Sequence, residues 1–391
     1  MFSSRLPSAL EPNAISQSVS ALRADGVPLL DLTETNPSNV GLSCSPDVLA
    51  ELSNPLAARY SPEPLGMASA REAVARSYGP APAVDPAHVI LTASTSEAYA
   101  LLFKLLCDPR DEVLIPQPSY PLFDSLTALD AVDARPYRLE YHGTWWIDRD
   151  SVDLACTTRT RAILVVSPNN PTGSMLRAGD RDWLASLAAD RGIAIIADEV
   201  FADYPLRPAR DASSFLGESR ALTFVLGGLS KSAGLPQLKL GWMVVSGPSE
   251  LAAQAIQRLE VICDTYLSVS TPVQIAAPAL IAAGRDVRAR IQARITGNLA
   301  VAERLVAAVP AVSLLSPEGG WSVALRVPAT ESEEALVLRL LQDAHVLVHP
   351  GFFFDFAGEA FLVISLLPEP AVFEAAMGRL LAIAGGGQAA S

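Results

Sequence analysis

The stretch "GGLSKSAGLPQLKLGW" (227–242) holds two of the three lysines in this 391-residue chain. Of its 29 cationic side chains only Lys104, Lys231 and Lys239 are lysine, so the other 26 are arginine. Where arginine is the general-purpose cation, a lysine kept in a glycine-rich turn points to chemistry that a guanidinium cannot perform. An amine can lose its proton and attack a carbonyl, whereas arginine stays protonated. A phosphate-binding loop does not fit, because Lys231 lacks the preceding glycine and the second glycine at the required spacing. A Ser230–Lys231 hydrolytic dyad stays open, although neighbouring side chains on a turn rarely face each other.

A carbonyl-trapping lysine most commonly holds pyridoxal phosphate (PLP) as a Schiff base, and such a site needs further parts. It needs an anion site. "TASTSEA" offers Ser94, Thr95 and Ser96 between a strand and a helix, where free amides and the helix dipole converge. Ordinary helix capping explains the same residues. It needs a carboxylate facing the pyridine nitrogen. Asp198 ends the apolar run "IAIIAD", where a charge requires a partner. It needs a flat surface over the ring, which Tyr120 in "PQPSYPLF" could provide, and a contact to the ring oxygen, for which Asn170 in "SPNNPTG" is a candidate. Packing and turn formation are the plain alternatives for these two.

The elements that must position these residues are legible. "HVILTAS", "DEVLIPQ", "RAILVVS", "GIAIIAD", "ALTFVLGG" and "LKLGWMVVSG" are apolar runs that alternate with helical patterns such as "EAYALLFKLLC" and "RDWLASLAAD". This alternation predicts an α/β fold with a mostly parallel sheet covered on both faces. Ligands in such sheets gather where the strands end. From about residue 250 the pattern becomes helical, then ends in a smaller mixed region. We expect an N-terminal arm over 1–45, a large domain over 46–285 and a small domain over 286–391. The tail "GGGQAAS" reads as disordered.

Composition narrows the classes of function. A net charge of −13 argues against nucleic acid or an anionic membrane as the main partner. No apolar run reaches transmembrane length, and the first residues show no signal-peptide core, so a cytoplasmic protein is expected. The four cysteines and four histidines show no ligand spacing, and no metal site is expected.

In order and spacing, "PSYP", "NNPTG", "ADEVF" and "LSK…GLPQLKLGW" resemble the fold-type I, class I/II aminotransferases, the aspartate aminotransferase superfamily. The resemblance spans "LDLTETNPS" to "ISLLPEP", nearly the whole chain. It implies a large domain with a mostly parallel seven-stranded sheet between helices and a smaller α+β C-terminal domain. It implies PLP as cofactor, Lys231 as Schiff-base lysine and proton shuttle, and Asp198 on the pyridine nitrogen. Tyr120 would stack on the ring and Asn170 would touch its oxygen. Ser94, Thr95, Ser96 and Ser230 would join the cofactor site, with Lys239 where the family usually has a phosphate-binding arginine. Tyr60 matches a tyrosine that reaches the neighbouring subunit's phosphate, which implies a homodimer with shared sites.

Three positions depart from the family pattern. Phe201 replaces a tyrosine whose hydroxyl touches the ring oxygen, and Gly228 replaces a serine near the phosphate. Val363 stands where an arginine usually clamps the substrate's α-carboxylate. Asn36, in a segment that lines the substrate site in relatives, is a candidate stand-in for that arginine, as are Arg23 and His349. Poor activity with aspartate and glutamate is expected, since a second carboxylate needs still another cation. The expected activity is transfer of an amino group between an amine or amino acid and a keto acceptor. A PLP lyase, decarboxylase or oxidase on the same scaffold is the alternative.

Overall fold

A computed structural model describes residues 2–7, 10–207, 211–358 and 360–386. The last five residues of the tail expected to be disordered lie outside the described residues. The apolar runs in the middle of the chain form one large sheet, because strands covered on both faces must be apolar throughout. A short first strand, Leu30–Asp31 (β1), precedes it. The sheet itself contains Val89–Thr92 (β2), Glu112–Gln117 (β3), Asp133–Tyr141 (β4), Trp145–Ile147 (β5) and Thr160–Val166 (β6). Ala194–Asp198 (β7), Thr223–Gly228 (β8) and Gly241–Ser246 (β9) complete it.

The spatial order is β2-β9-β8-β7-β6-β3-β4-β5. Strands β4, β3, β6, β7 and β8 run parallel, and β9 is antiparallel to both β8 and β2. The sheet therefore has eight strands where seven were expected. The extra one is β5, which folds back against the edge strand β4 with Tyr141 opposite Trp145. Gly143 takes the left-handed φ of 85° that this tight reversal needs, and the aromatic run "WWI" suits a strand.

Alternate side chains of the sheet face two cores. Val89 and Leu91 pack with helices Ala68–Ser77 and Ala178–Arg191, while Ile90 packs with Thr95–Leu106 and Ser249–Tyr266. The smaller sheet is antiparallel. It comprises Ser313–Leu314 (β10), Ser322–Arg326 (β11), His349–Pro350 (β13) and Phe361–Ser365 (β14), in the order β10-β11-β14-β13. Val346–Leu347 (β12) instead pairs in parallel with β1.

One helix, Thr271–Ala307, serves both parts. Val273, Ala277 and Leu280 enter the core beneath the large sheet, whereas Val287, Ile291, Ile295 and Leu299 enter the core of the C-terminal part. The change falls between Leu280 and Val287. Within that interval Gly284 presses on Ala233, where an added Cβ would come within 2.5 Å of the alanine Cβ. The helix thus lies directly on the turn that carries Lys231. The arm joins the C-terminal part, since Ile15, Leu32, Val40 and Leu42 belong to the same core as Val323 and Ile364.

Candidate active site

Parallel strands bring their carboxyl ends to one edge, and a cavity of about 500 Å³ opens there. Strand β7 delivers Asp198, and the loop after it delivers Phe201. Strand β8 ends at Gly228 and passes straight into the short turn bearing Ser230 and Lys231. The loop after β6 supplies Asn170, and the loop after β3 supplies Tyr120. Val363 of β14 closes the cavity from the smaller sheet. Seven residues read from the sequence as cofactor contacts or as the departure at the clamp therefore meet in one place.

The N-terminus of helix Thr95–Leu106 faces the same cavity with Ser94, Thr95 and Ser96. Ser94 caps the helix, its Oγ accepting from the Glu97 N–H at 3.1 Å. Glu97 reaches back to accept from the Ala93 N–H at 2.6 Å, so the start of the helix is held from both sides. The sheet lies close against it. A Cβ on Gly241 would stand 3.0 Å from the Ser94 carbonyl carbon, so glycine lets β9 approach the helix end.

Charge is arranged in a coupled pair. Asp198 is buried; burial pushes its carboxyl up, while hydrogen bonds from Tyr99 and the Val200 N–H and the charge of Lys231 pull it down. The Tyr99 hydroxyl donates to Asp198 Oδ2 at 2.7 Å, and the Val200 N–H donates to Oδ1 at 3.1 Å. Burial lowers the Lys231 ammonium to about 8, against the opposing pull of Asp198. Its Nζ lies 4.7 Å from the Trp321 ring centroid and 5.2 Å from that of Phe201. Two aromatic faces partly replace water around this cation. The Tyr204 hydroxyl donates to the Lys231 carbonyl at 2.5 Å and pins the backbone of the turn.

Other expected residues lie elsewhere. Lys239 is exposed, adopts a left-handed φ of 53° and does not line the cavity. Tyr60 is 76% exposed and borders a different groove, with Tyr266 and Leu267. Asn36 caps a short 3-10 helix, its Oδ1 accepting from the Ser38 N–H at 3.1 Å, and is also outside the lining. Arg23 is exposed and 3.8 Å from Asp31. His349 does line the cavity.

Sequence reading missed Tyr99, Tyr204, Trp321 and the serines of the small sheet, Ser322 and Ser365. Tyr99 had a signal: a hydroxyl among the buried apolar positions of "EAYALLF" needs a partner. Trp321 had none, because its approach to Lys231 depends on how the small sheet docks. That docking is stitched by Glu318, which pairs with Arg177 and accepts from the Met175 N–H at 3.1 Å.

The donor set suits PLP. A helix start with hydroxyls suits a phosphate, a buried carboxylate suits a protonated ring nitrogen, and a lysine of lowered pKa suits an aldehyde. Comparison with known proteins agrees. The model of the aminotransferase class I and II family matches residues 30–380. An alanine aminotransferase of Mycobacterium tuberculosis is 28% identical over 383 residues, covering 94% of this chain and 88% of that protein. A glutamate-pyruvate aminotransferase of Escherichia coli is 26% identical over 358 residues, covering 89% of this chain and 88% of the relative. The solved alanine aminotransferase from Pyrococcus furiosus superposes with a TM-score of 0.88 at 25% identity, over 97% of this chain and 98% of that one.

Proposed function

This chain belongs to the class I and II aminotransferases, a PLP-dependent family, and from that premise we propose how its own residues divide the work of the reaction. When bound, PLP supplies an aldehyde that receives the amino group and a ring that draws electron density from the substrate Cα. Lys231 would hold the cofactor covalently, and its amine, neutral at far lower pH than a free lysine, would later take the proton from the substrate Cα and pass it on rather than return it there. Asp198 keeps the ring nitrogen protonated, and Tyr99 in turn holds Asp198 in place and ionised. Tyr120 covers one ring face and Asn170 contacts the ring oxygen, which Phe201 cannot do. The helix start at Ser94, Thr95 and Ser96, together with Ser230, holds the phosphate. Lys239 is assigned to the outer edge of that phosphate site.

The observation that carries this reading is the convergence of Lys231, Asp198, Tyr120 and a helix N-terminus on one cavity. Exposed Tyr60, beside the groove with Tyr266 and Leu267, supports a homodimer in which Tyr60 serves the neighbouring site. No helix of the described residues is long and apolar enough to cross a membrane, which agrees with the cytoplasmic placement we propose. The change of core along Thr271–Ala307 supports a division between large and small domains near residue 285. The names of the relatives make alanine, glutamate and pyruvate the first substrates to try, alanine as a donor or pyruvate as an acceptor.

The test is borohydride reduction of the PLP-loaded protein followed by peptide mass mapping. The pyridoxyl group should be found on Lys231; its recovery on Lys104 or Lys239 would refute the assignment. Lys231→Arg should retain neither the covalent cofactor nor turnover.

A further inference from the structure

The amino acids and keto acids exchanged by an aminotransferase carry a carboxylate beside the reacting carbon. That group must enter the same cavity as the amine, and an unpaired carboxylate is costly there. Among the described residues lining the cavity, only Lys231 and His349 can carry positive charge, and Asp198 is the sole carboxylate. Lys231 is already coupled to Asp198 and must be neutral to act on a carbonyl. The remaining cation is on the opposite wall.

His349 stands in β13 directly across from Val363 in β14. Side chains so paired emerge on one face with their Cβ atoms about 5 Å apart, so the small valine leaves space beside the imidazole. Neither ring nitrogen of His349 has a hydrogen-bond partner among the described residues, although His88, His142 and His345 each have one. The ring is held by Phe353 and Phe354, at centroid distances of 5.9 and 5.7 Å. Once protonated, this ring offers two N–H donors, which favour an anionic acceptor.

We propose that His349, as imidazolium, binds the substrate's α-carboxylate in the space left by Val363, and so selects substrates carrying a single carboxylate. The proposal rests on the aminotransferase assignment of this cavity. Burial holds the His349 imidazolium below its usual range, and Asp31 of β1 works against that fall; a bound carboxylate adds the further negative charge that favours the protonated ring. Asp198, Lys231 and the Tyr120 hydroxyl share the cavity. Glu333, on the helix Glu333–Ala344 packed against β13, accepts from the N–H groups of Phe352 and Phe361. Asp355 ends the turn that carries the phenylalanines.

The experiment is a proton-NMR titration of the four histidines in the PLP-loaded enzyme, with His349 assigned by its loss in His349→Gln. The probes are 3-phenylpropionate and its uncharged match, 3-phenylpropionamide. Saturating carboxylate should raise the pKa of His349 by about one unit or more, equivalent to about tenfold tighter binding to the protonated ring. The amide should leave it unmoved. His349→Gln should weaken 3-phenylpropionate about tenfold and leave the amide's affinity unchanged. A His349 titration indifferent to the carboxylate, or an equal response to the amide, overturns the proposal. Borohydride mapping of the same sample tests the Lys231 assignment separately, so a failure of that reading is seen apart from a failure at His349.

Discussion

Lys231 and Asp198 are coupled, so neutralising one must move the titration of the other. Burial takes the Lys231 ammonium from 10.5 to about 8, and the Asp198 charge works against that fall. At about pH 7.5 an amine of pKa about 8 is roughly one-quarter neutral, against about one part in a thousand for free lysine. Capture of PLP by the cofactor-free protein should therefore accelerate through about pH 8 and level off near pH 9. Asp198→Asn removes the charge but leaves a side chain of the same shape beside Tyr99 and the Val200 N–H. The supporting charge is then lost, and the midpoint should fall by about one unit, the low end of what an adjacent opposite charge exerts. Stopped-flow absorbance between about pH 6 and 10, with Lys231→Arg as the blank, measures both profiles. A wild-type midpoint near 10, or an upward move in Asp198→Asn, would refute the reasoning.

Tyr99→Phe removes the 2.7 Å hydrogen bond to Asp198, and should cost the cofactor-free protein about 1.5–3 kcal/mol in urea denaturation; an unchanged midpoint would show that the bond contributes nothing. Glu218 is buried between Arg181 and Arg220, whose contacts hold its carboxyl down at about 2. Its stabilisation is thus complete above its ordinary 4.5 and fades as pH falls toward 2. Allowing for the partial exposure of both arginines, Glu218→Gln should lose about 2 kcal/mol at neutral pH and flatten the acid limb in that window, read by denaturation at several pH values. Aspartate and glutamate should be poorer donors than alanine, because no further cation lines the cavity among the described residues. A kcat/KM for either at or above about 10⁴ M⁻¹s⁻¹ would contradict this.

Much of the site was legible because parallel-sheet architecture makes it local. Apolar runs long enough to be strands declare themselves, and residues just past their carboxyl ends must converge on one edge. That logic placed Asp198 after "IAIIA", Lys231 after "FVLGG" and Asn170 after "ILVVSPN" without reference to distant contacts. The same logic did not reveal β5, since a three-residue aromatic hairpin arm looks like loop until β4 offers it an edge. Likewise, nothing local announced that Lys239 would be exposed and held at a left-handed φ of 53°. The contacts that tune the chemistry were decided only by tertiary structure. Tyr99 reaches Asp198 across 99 residues, and Trp321 and His349 arrive from a separate sheet whose position depends on Glu318, Arg177 and the shared helix under Gly284. Strand and helix periods are properties of neighbouring residues. Which side chains meet across a cavity depends instead on how separate cores pack against each other, and no local pattern encodes that.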